Sequence, residues 1–321
     1  MAKAIEQSES GLTVGHFGLG SRGGTVGSIR HQVHDGDTIS VRALGNFGIR
    51  FLGVDAPEIS FRLPDETAFS GLGHERWEAF LTDPFAQGLR PFDPPIAPGL
   101  RNYLLQQLGP GVATNQHNHA EAAEDVLEQE VVKDVRALGQ SEDDFKFFLA
   151  FAHEIVDRYG RLLCFINRHQ PDPAVPEKRR PLSYNERLLK EGKVAPYFIF
   201  PNLDPFRSKE SITEAVIPAG TAANLASGDN ALGLARKWVR DARTRSGGIF
   251  DGNDPLKLQP FEVRFLARRK PPDRWVIDLG KNDNALMRPQ KYYSVPRVED
   301  RLYIPSQFVP LFVEAGWQKQ N

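Results

Sequence analysis

Acids and arginines recur in this chain at a spacing that suits cleavage of a phosphodiester. The first group is Val33-His34-Asp35-Gly36-Asp37-Thr38, followed by Arg50-Phe51-Leu52-Gly53-Val54-Asp55-Ala56-Pro57-Glu58; a second guanidinium comes far downstream in Arg158-Tyr159-Gly160-Arg161-Leu162. Carboxylates hold a hard divalent cation and activate water, and paired arginines bind a phosphate. Asp37 opens one expected strand and Asp55 closes another, so antiparallel packing would bring the two ends together. Two carboxylates at one site repel unless a cation lies between them. Calcium fits that role, because it takes oxygen ligands at about 2.3–2.6 Å in irregular geometry. The Ala56 carbonyl is a further ligand candidate, since Pro57 biases Ala56 toward an extended backbone. Glu58 is placed to take a proton from water as general base. Arg50 and Arg161 would grip phosphate oxygens as charge builds on phosphorus. Taken singly, each acid reads better as a turn residue, cap or surface charge, and each arginine as a solvated charge or a structural ion pair; the combination carries the weight.

The rest of the sequence sets bounds. With 321 residues there is room for one elaborated domain or two. Apolar residues make up 40% and charged residues 25%, as in ordinary globular proteins. No stretch approaches the ~20 apolar residues that span a bilayer, so no membrane partner is expected. The start, Met1-Ala2-Lys3-Ala4-Ile5-Glu6-Gln7-Ser8, has no apolar signal core; the expectation is cytoplasmic as written, or secreted if a leader has been trimmed. The single Cys164 excludes an intramolecular disulfide and a cysteine-rich zinc site, and its apolar neighbours make it a buried inert thiol. A net charge of −1 argues against a protein that coats nucleic acid, but not against a few phosphate contacts in one cleft. Positive charge crowds Arg236, Lys237, Arg240, Arg243 and Arg245, and again Arg264, Arg268, Arg269, Lys270 and Arg274.

The elements that must position the candidate residues follow from pattern. Residues 25–33, 38–44 and 48–54 read as strands, with Leu44-Gly45-Asn46-Phe47-Gly48 as the hairpin between the last two. The glycines from Gly11 to Gly27 read as tight turns and bulges; no Gly-Lys-Ser/Thr makes them a phosphate loop. Residues 61–116 are rich in Pro and Gly but hold Phe69, Trp77, Phe80, Phe85 and Phe92, so they form an ordered insertion with short helices. Apolar spacing predicts a helix over 118–138, stopped by Gly139. Strands follow at 145–155 and 162–167, a helix at 183–192, an extended piece at 194–200 and a basic amphipathic helix at 229–245. Beyond Pro255, strands are expected at 261–268, 274–279 and 302–304, and a helix near 306–315. Strand, strand, strand, helix, strand, strand predicts an α+β fold built on a five-stranded Greek-key barrel of the oligonucleotide-binding type. The division is an N-terminal extension (1–24), the barrel domain with about three helices (25–252) and an accessory C-terminal region (253–321). His31, His34, His117 and His119 lack the further ligands that a zinc site needs.

Asp-Gly-Asp-Thr, then Arg-x4-Asp-x-Pro-Glu, then Tyr-Gly-Arg resembles the thermonuclease (micrococcal nuclease-like) family. Asn185-Glu186-Arg187-Leu188-Leu189-Lys190-Glu191-Gly192 looks like that family's Asn-Glu-x-Leu-x-x-x-Gly helix, and Ala235 to Phe250 resembles its closing helix. The resemblance covers about residues 25–60 and 118–250. It implies calcium-dependent endonuclease activity on DNA or RNA that leaves 3′-phosphate ends, with Asp37, Asp55 and the Ala56 carbonyl as calcium ligands and Asp35 as an acid behind them. It also implies Glu58 as the base, Arg50 and Arg161 as phosphate ligands, and Tyr159 and Tyr197 as nucleotide contacts. The rival is a catalytically silent module binding nucleic acid or protein on the same barrel. A second rival is a scaffold whose residues 253–321 bind a protein partner, a reading that no motif in the sequence supports.

Overall fold

The computed structural model describes residues 3–7, 13–22, 25–26, 32, 38–169, 181–203 and 211–320. Asp35, Asp37, His31, His34 and most of the expected 25–33 strand lie outside the described residues. Numbered along the chain, the elements used below are β1 (Phe17–Leu19), β2 (Val41–Ala43), β3 (Ile49–Phe51), β4 (Gly53–Asp55), α1 (Glu75–Thr82), α2 (Pro98–Leu105) and α3 (Val112–Ala137). They continue with β5 (Phe147–Val156), β6 (Leu162–Arg168), α4 (Tyr184–Lys190), β7 (Ala195–Ile199), α5 (Ala231–Thr244), α6 (Pro260–Arg268), β8 (Trp275–Asp278), β9 (Arg301–Ile304) and α7 (Val309–Glu314). The fold is mixed α+β with several sheets.

A single stretch of chain serves two sheets because Gly53 breaks it. Gly53 has φ +75°, a conformation that favours glycine, and it divides the apolar run into β3 and β4. On one side β3 pairs in parallel with β6, Arg50 opposite Leu163, and β6 pairs antiparallel with β5. On the other side β4 pairs antiparallel with β7, Asp55 opposite Ala195. The four-stranded sheet then runs β8-β9-β7-β4.

Asn185 fastens the point where the strand changes partners. It is fully buried at the start of α4, donates to the Leu52 and Cys164 carbonyls (2.9 and 3.2 Å) and accepts from the Ile166 N–H (3.0 Å). Ser183 caps α4 in a reciprocal box with Glu186, and Gly192 (φ +67°) ends it. The Asn-Glu pair legible in the sequence is therefore a helix start that ties the Leu52 backbone, just past β3, to that of β6.

Alternate residues of β7, β8 and β9 enter two different cores. Phe198, Ile277 and Leu302 pack in one with Val54, Leu188, Val239 and Trp317, whereas Tyr197, Val276 and Tyr303 pack in the other with Trp77, Leu104, Phe261 and Tyr292. A sheet covered on both faces needs apolar side chains in both directions, which is why 194–200 reads as an uninterrupted apolar stretch. The insertion at 61–116 supplies the second cover through α1 and α2. Residues 253–321 are likewise built in: β8 and β9 share the sheet with β4 and β7, and buried Glu299 takes a bidentate grip from Arg243 (2.8 and 2.6 Å). Arg236 similarly engages Asp300 (2.7 Å), so part of the basic face of α5 is consumed in holding this region.

Several expectations change. No closed barrel is present among the described residues. The 44–48 hairpin does not form a ladder between its flanking strands: β2 pairs with β1, and β3 with β6. Both flanking segments found longer-range partners, so the Gly-Asn turn signal was overridden by tertiary pairing. The expected strand at 261–268 is helix α6. Pro260 occupies its first turn, and Gln259 and Glu262 form a capping box, which outweighs the β-branched and aromatic content. The long helix α3 begins at Val112, earlier than expected, and Gly139 (φ +61°) follows its end. Cys164 is buried and its thiol is pushed up to about 11 by that burial.

Asn185→Ala is expected to strand buried groups at the β3–β6 divergence and to lower stability by roughly 2–3 kcal/mol, measured by urea unfolding; a smaller loss than Ser183→Ala would show the clasp to be dispensable.

Candidate functional site

Strand β4 delivers Asp55 to the bottom of a cluster of guanidinium groups. The Asp55 side chain is 1% exposed. Its Oδ1 accepts from Arg50 Nη2 (2.9 Å) and its Oδ2 from Arg264 Nη2 (2.7 Å). Arg264 turns its other nitrogen, Nη1, to Glu58 Oε1 (2.5 Å), so one planar fork spans both acids. Arg50 and Asp55 lie five residues apart in extended chain and would point to opposite faces of a flat strand. The break at Gly53 rotates the chain and lets them meet.

Glu58 sits just beyond the strand, and the Gln116 amide of α3 accepts from its backbone N–H (3.2 Å) while donating to the Leu258 carbonyl (3.2 Å). Burial raises the Glu58 pKa; Asp55 adds to the rise, and Arg264 and Arg50 pull against it without cancelling it. Burial pulls the Arg264 pKa down, but Asp55 and Glu58 outweigh it and hold Arg264 firmly charged. One turn further along α6, Arg268 stacks over the Phe61 ring at 5.1 Å; burial lowers its pKa, Arg264 and Arg158 add to the fall, and Glu58 opposes it. Beside it lies a basic cleft of about 270 Å³ lined by Arg90, Pro91, Asp93, Arg268, Arg269 and Lys270.

Arg161 stands on the same face of the β3–β6 pair as Arg50, because Arg50 is level with Leu163 and Arg161 precedes Leu163 by two residues. Its guanidinium folds onto Asp157, with Nε and Nη2 at 2.8 and 2.7 Å from Oδ2. Tyr159 is partly exposed at the tip of this turn, with Arg158 and Arg161 over its ring at 4.7 and 5.4 Å. Arg50, Asp55 and Glu58 thus come together at one point, with Tyr159 and Arg161 on the adjoining turn. Tyr197 does not open to solvent: it is buried, stacked on Phe261 with ring centroids 5.4 Å apart, and its hydroxyl takes a bond from Arg274 (2.7 Å). Ala56 is exposed at the strand end.

As arranged, Asp55 and Glu58 do not fit a calcium ion; Asp37, the other expected carboxylate ligand, lies outside the described residues. Calcium needs six to eight oxygen ligands, yet both Asp55 oxygens and Glu58 Oε1 are taken by guanidinium groups. Among the described residues no group of three or more His, Cys, Asp or Glu forms a metal site.

Sequence reasoning missed Arg264 and Arg268 as site residues. Their i,i+4 spacing puts both on one helical face, and Gln259-Pro260-Phe261-Glu262 is a helix-start signature that would have revealed it. No family model, no curated protein and no solved structure matches the chain.

Removing one partner from this buried pair leaves a charge uncompensated. Arg264→Met is expected to cost roughly 3–5 kcal/mol. In a double-mutant cycle with Asp55→Asn, followed by urea unfolding, the coupling should be roughly 1–3 kcal/mol; additive losses would mean that the ion pair contributes nothing.

Proposed function

We propose that the chain is a phosphodiesterase acting on the backbone of DNA or RNA, an endonuclease of the thermonuclease kind. The observation that carries this reading is the convergence of Glu58, whose pKa is raised by burial, with Arg50, Arg264 and Arg268 at the end of β4. A general base works best with a pKa brought toward the operating pH. Glu58 draws a proton from water, and the water attacks phosphorus in line with the leaving oxygen. Arg50 on β3 and Arg161 on the turn that enters β6 hold the phosphate and neutralise charge as phosphorus becomes five-coordinate. Tyr159 offers an exposed ring for stacking a base or sugar. The cleft along Arg90, Arg268 and Lys270 gives the next phosphate of the strand a cationic path. We also read β3, β5 and β6 as part of a five-stranded Greek-key barrel. The supporting feature is that helix α3 lies between β3 and β5 in the chain, with β6 inserted between those two strands in the sheet.

A second reading is a silent module that binds nucleic acid and does not cut it. Arg264 favours it, because the same guanidinium that anchors Asp55 also pins Glu58.

The two readings separate on single-stranded and plasmid DNA. An enzyme is expected to show a rate that climbs with pH through an acid limb above the ordinary glutamate pKa of about 4.3, because Glu58 acts when ionised and its pKa is raised. Glu58→Gln should remove that limb and cost about 10²–10⁴-fold in rate. Arg50→Ala should cost about 10²–10³-fold. Binding by fluorescence anisotropy with no cleavage at any pH would decide for the silent module.

A further inference from the structure

The electrostatic problem posed by Asp55 and Glu58 is already solved within the chain. Two carboxylates in a poorly hydrated site need a cation between them, and the cation present is a guanidinium carried by α6. Its placement is not loose. Val263, Phe265 and Leu266 on either side of Arg264 are buried, Pro260 and the Gln259–Glu262 box fix the start of the helix, and buried Glu262 is itself held by the Tyr292 hydroxyl (2.6 Å). The Arg264 side chain is 12% exposed. Its two terminal nitrogens are divided between the two acids, and Arg50 covers the remaining Asp55 oxygen. A divalent ion entering here would have to displace that fork and would then stand among Arg50, Arg264 and Arg268. Among the described residues three guanidinium groups stand against two acids, an excess of positive charge that suits an anion and repels a metal.

We propose that Arg264 is the resident counter-cation of the Asp55–Glu58 pair, that it excludes calcium from these acids, and that phosphate is bound here without a divalent ion. The assignment stands on the carboxylate geometry and holds whether or not the site cleaves anything. It also makes α6, from the C-terminal region, a component of the site.

The test is calcium titration by calorimetry of the full chain, as wild type, Arg264→Gln, and Arg264→Gln combined with Asp55→Asn, each also melted with and without millimolar calcium. The wild type should give no binding heat and no shift in Tm. Arg264→Gln should bind calcium and melt higher in its presence, and the added Asp55→Asn should abolish both effects. An Arg264→Gln chain that is unfolded alone and folds on adding calcium counts for the proposal. Calcium binding by the wild type that is lost on Asp55→Asn overturns it, as does an Arg264→Gln chain that calcium neither binds nor rescues. None of these readouts uses cleavage, so a failure of the hydrolytic reading would be seen separately.

Discussion

A carboxylate almost sealed from water must be neutralised where it stands, and the architecture around Asp55 follows from that requirement. Burying a lone carboxylate is prohibitive, so β4 can carry Asp55 into the interior only because guanidinium groups meet it from two directions. Arg50 comes from the neighbouring strand segment, and its approach depends on the turn that Gly53 makes. Arg264 comes from a helix that must be held at one height against the sheet, and the aromatic core around Phe261, Tyr292 and Tyr303 holds it there. The ion pair and the second hydrophobic core are therefore one construction. The apolar packing sets the helix, and the helix sets the charge.

The same dependence explains the sheet. Strand β7 bridges the two halves of the molecule, pairing antiparallel with β4 and in parallel with β9. Its side chains feed a core on each face, so neither the insertion at 61–116 nor the C-terminal region can be regarded as decoration. Each supplies cover that β7 needs. Buried Glu299 with Arg243, and Asp300 with Arg236, repeat in smaller form the pattern seen at Asp55: an acid inside, satisfied by a helix-borne arginine.

How much of this could be read in the sequence depended on distance along the chain. Elements stabilised by local periodicity and caps were legible: α3, α4 with its Ser183 box and Gly192 stop, the β5–β6 pair with its Tyr-Gly turn, and α5. Elements decided by distant partners were not. The segment at 44–48 carried turn residues, yet its flanks paired elsewhere. The segment at 261–268 was rich enough in Phe and Val to read as a strand, and the capping signal at its start went unused. The candidate site divided in the same way. Arg50, Asp55 and Glu58 fall within one short stretch, so residue types and spacing were enough to associate them. Arg264 lies 209 positions from Asp55, and no local pattern announces a partner at that range. Tyr197 was legible as an aromatic but not as a buried one, because its concealment depends on Phe261 and Tyr303 from the far end of the chain.

That separation also bears on how the molecule is made. A ribosome adding about 5–20 residues per second produces Asp55 some 10–40 seconds, in order of magnitude, before the arginine 209 positions later that will neutralise it. Through that interval Asp55 has Arg50 but not the fork of Arg264 that also reaches Glu58. The Asp55 site is therefore completed only after the chain has grown 209 residues beyond its acid.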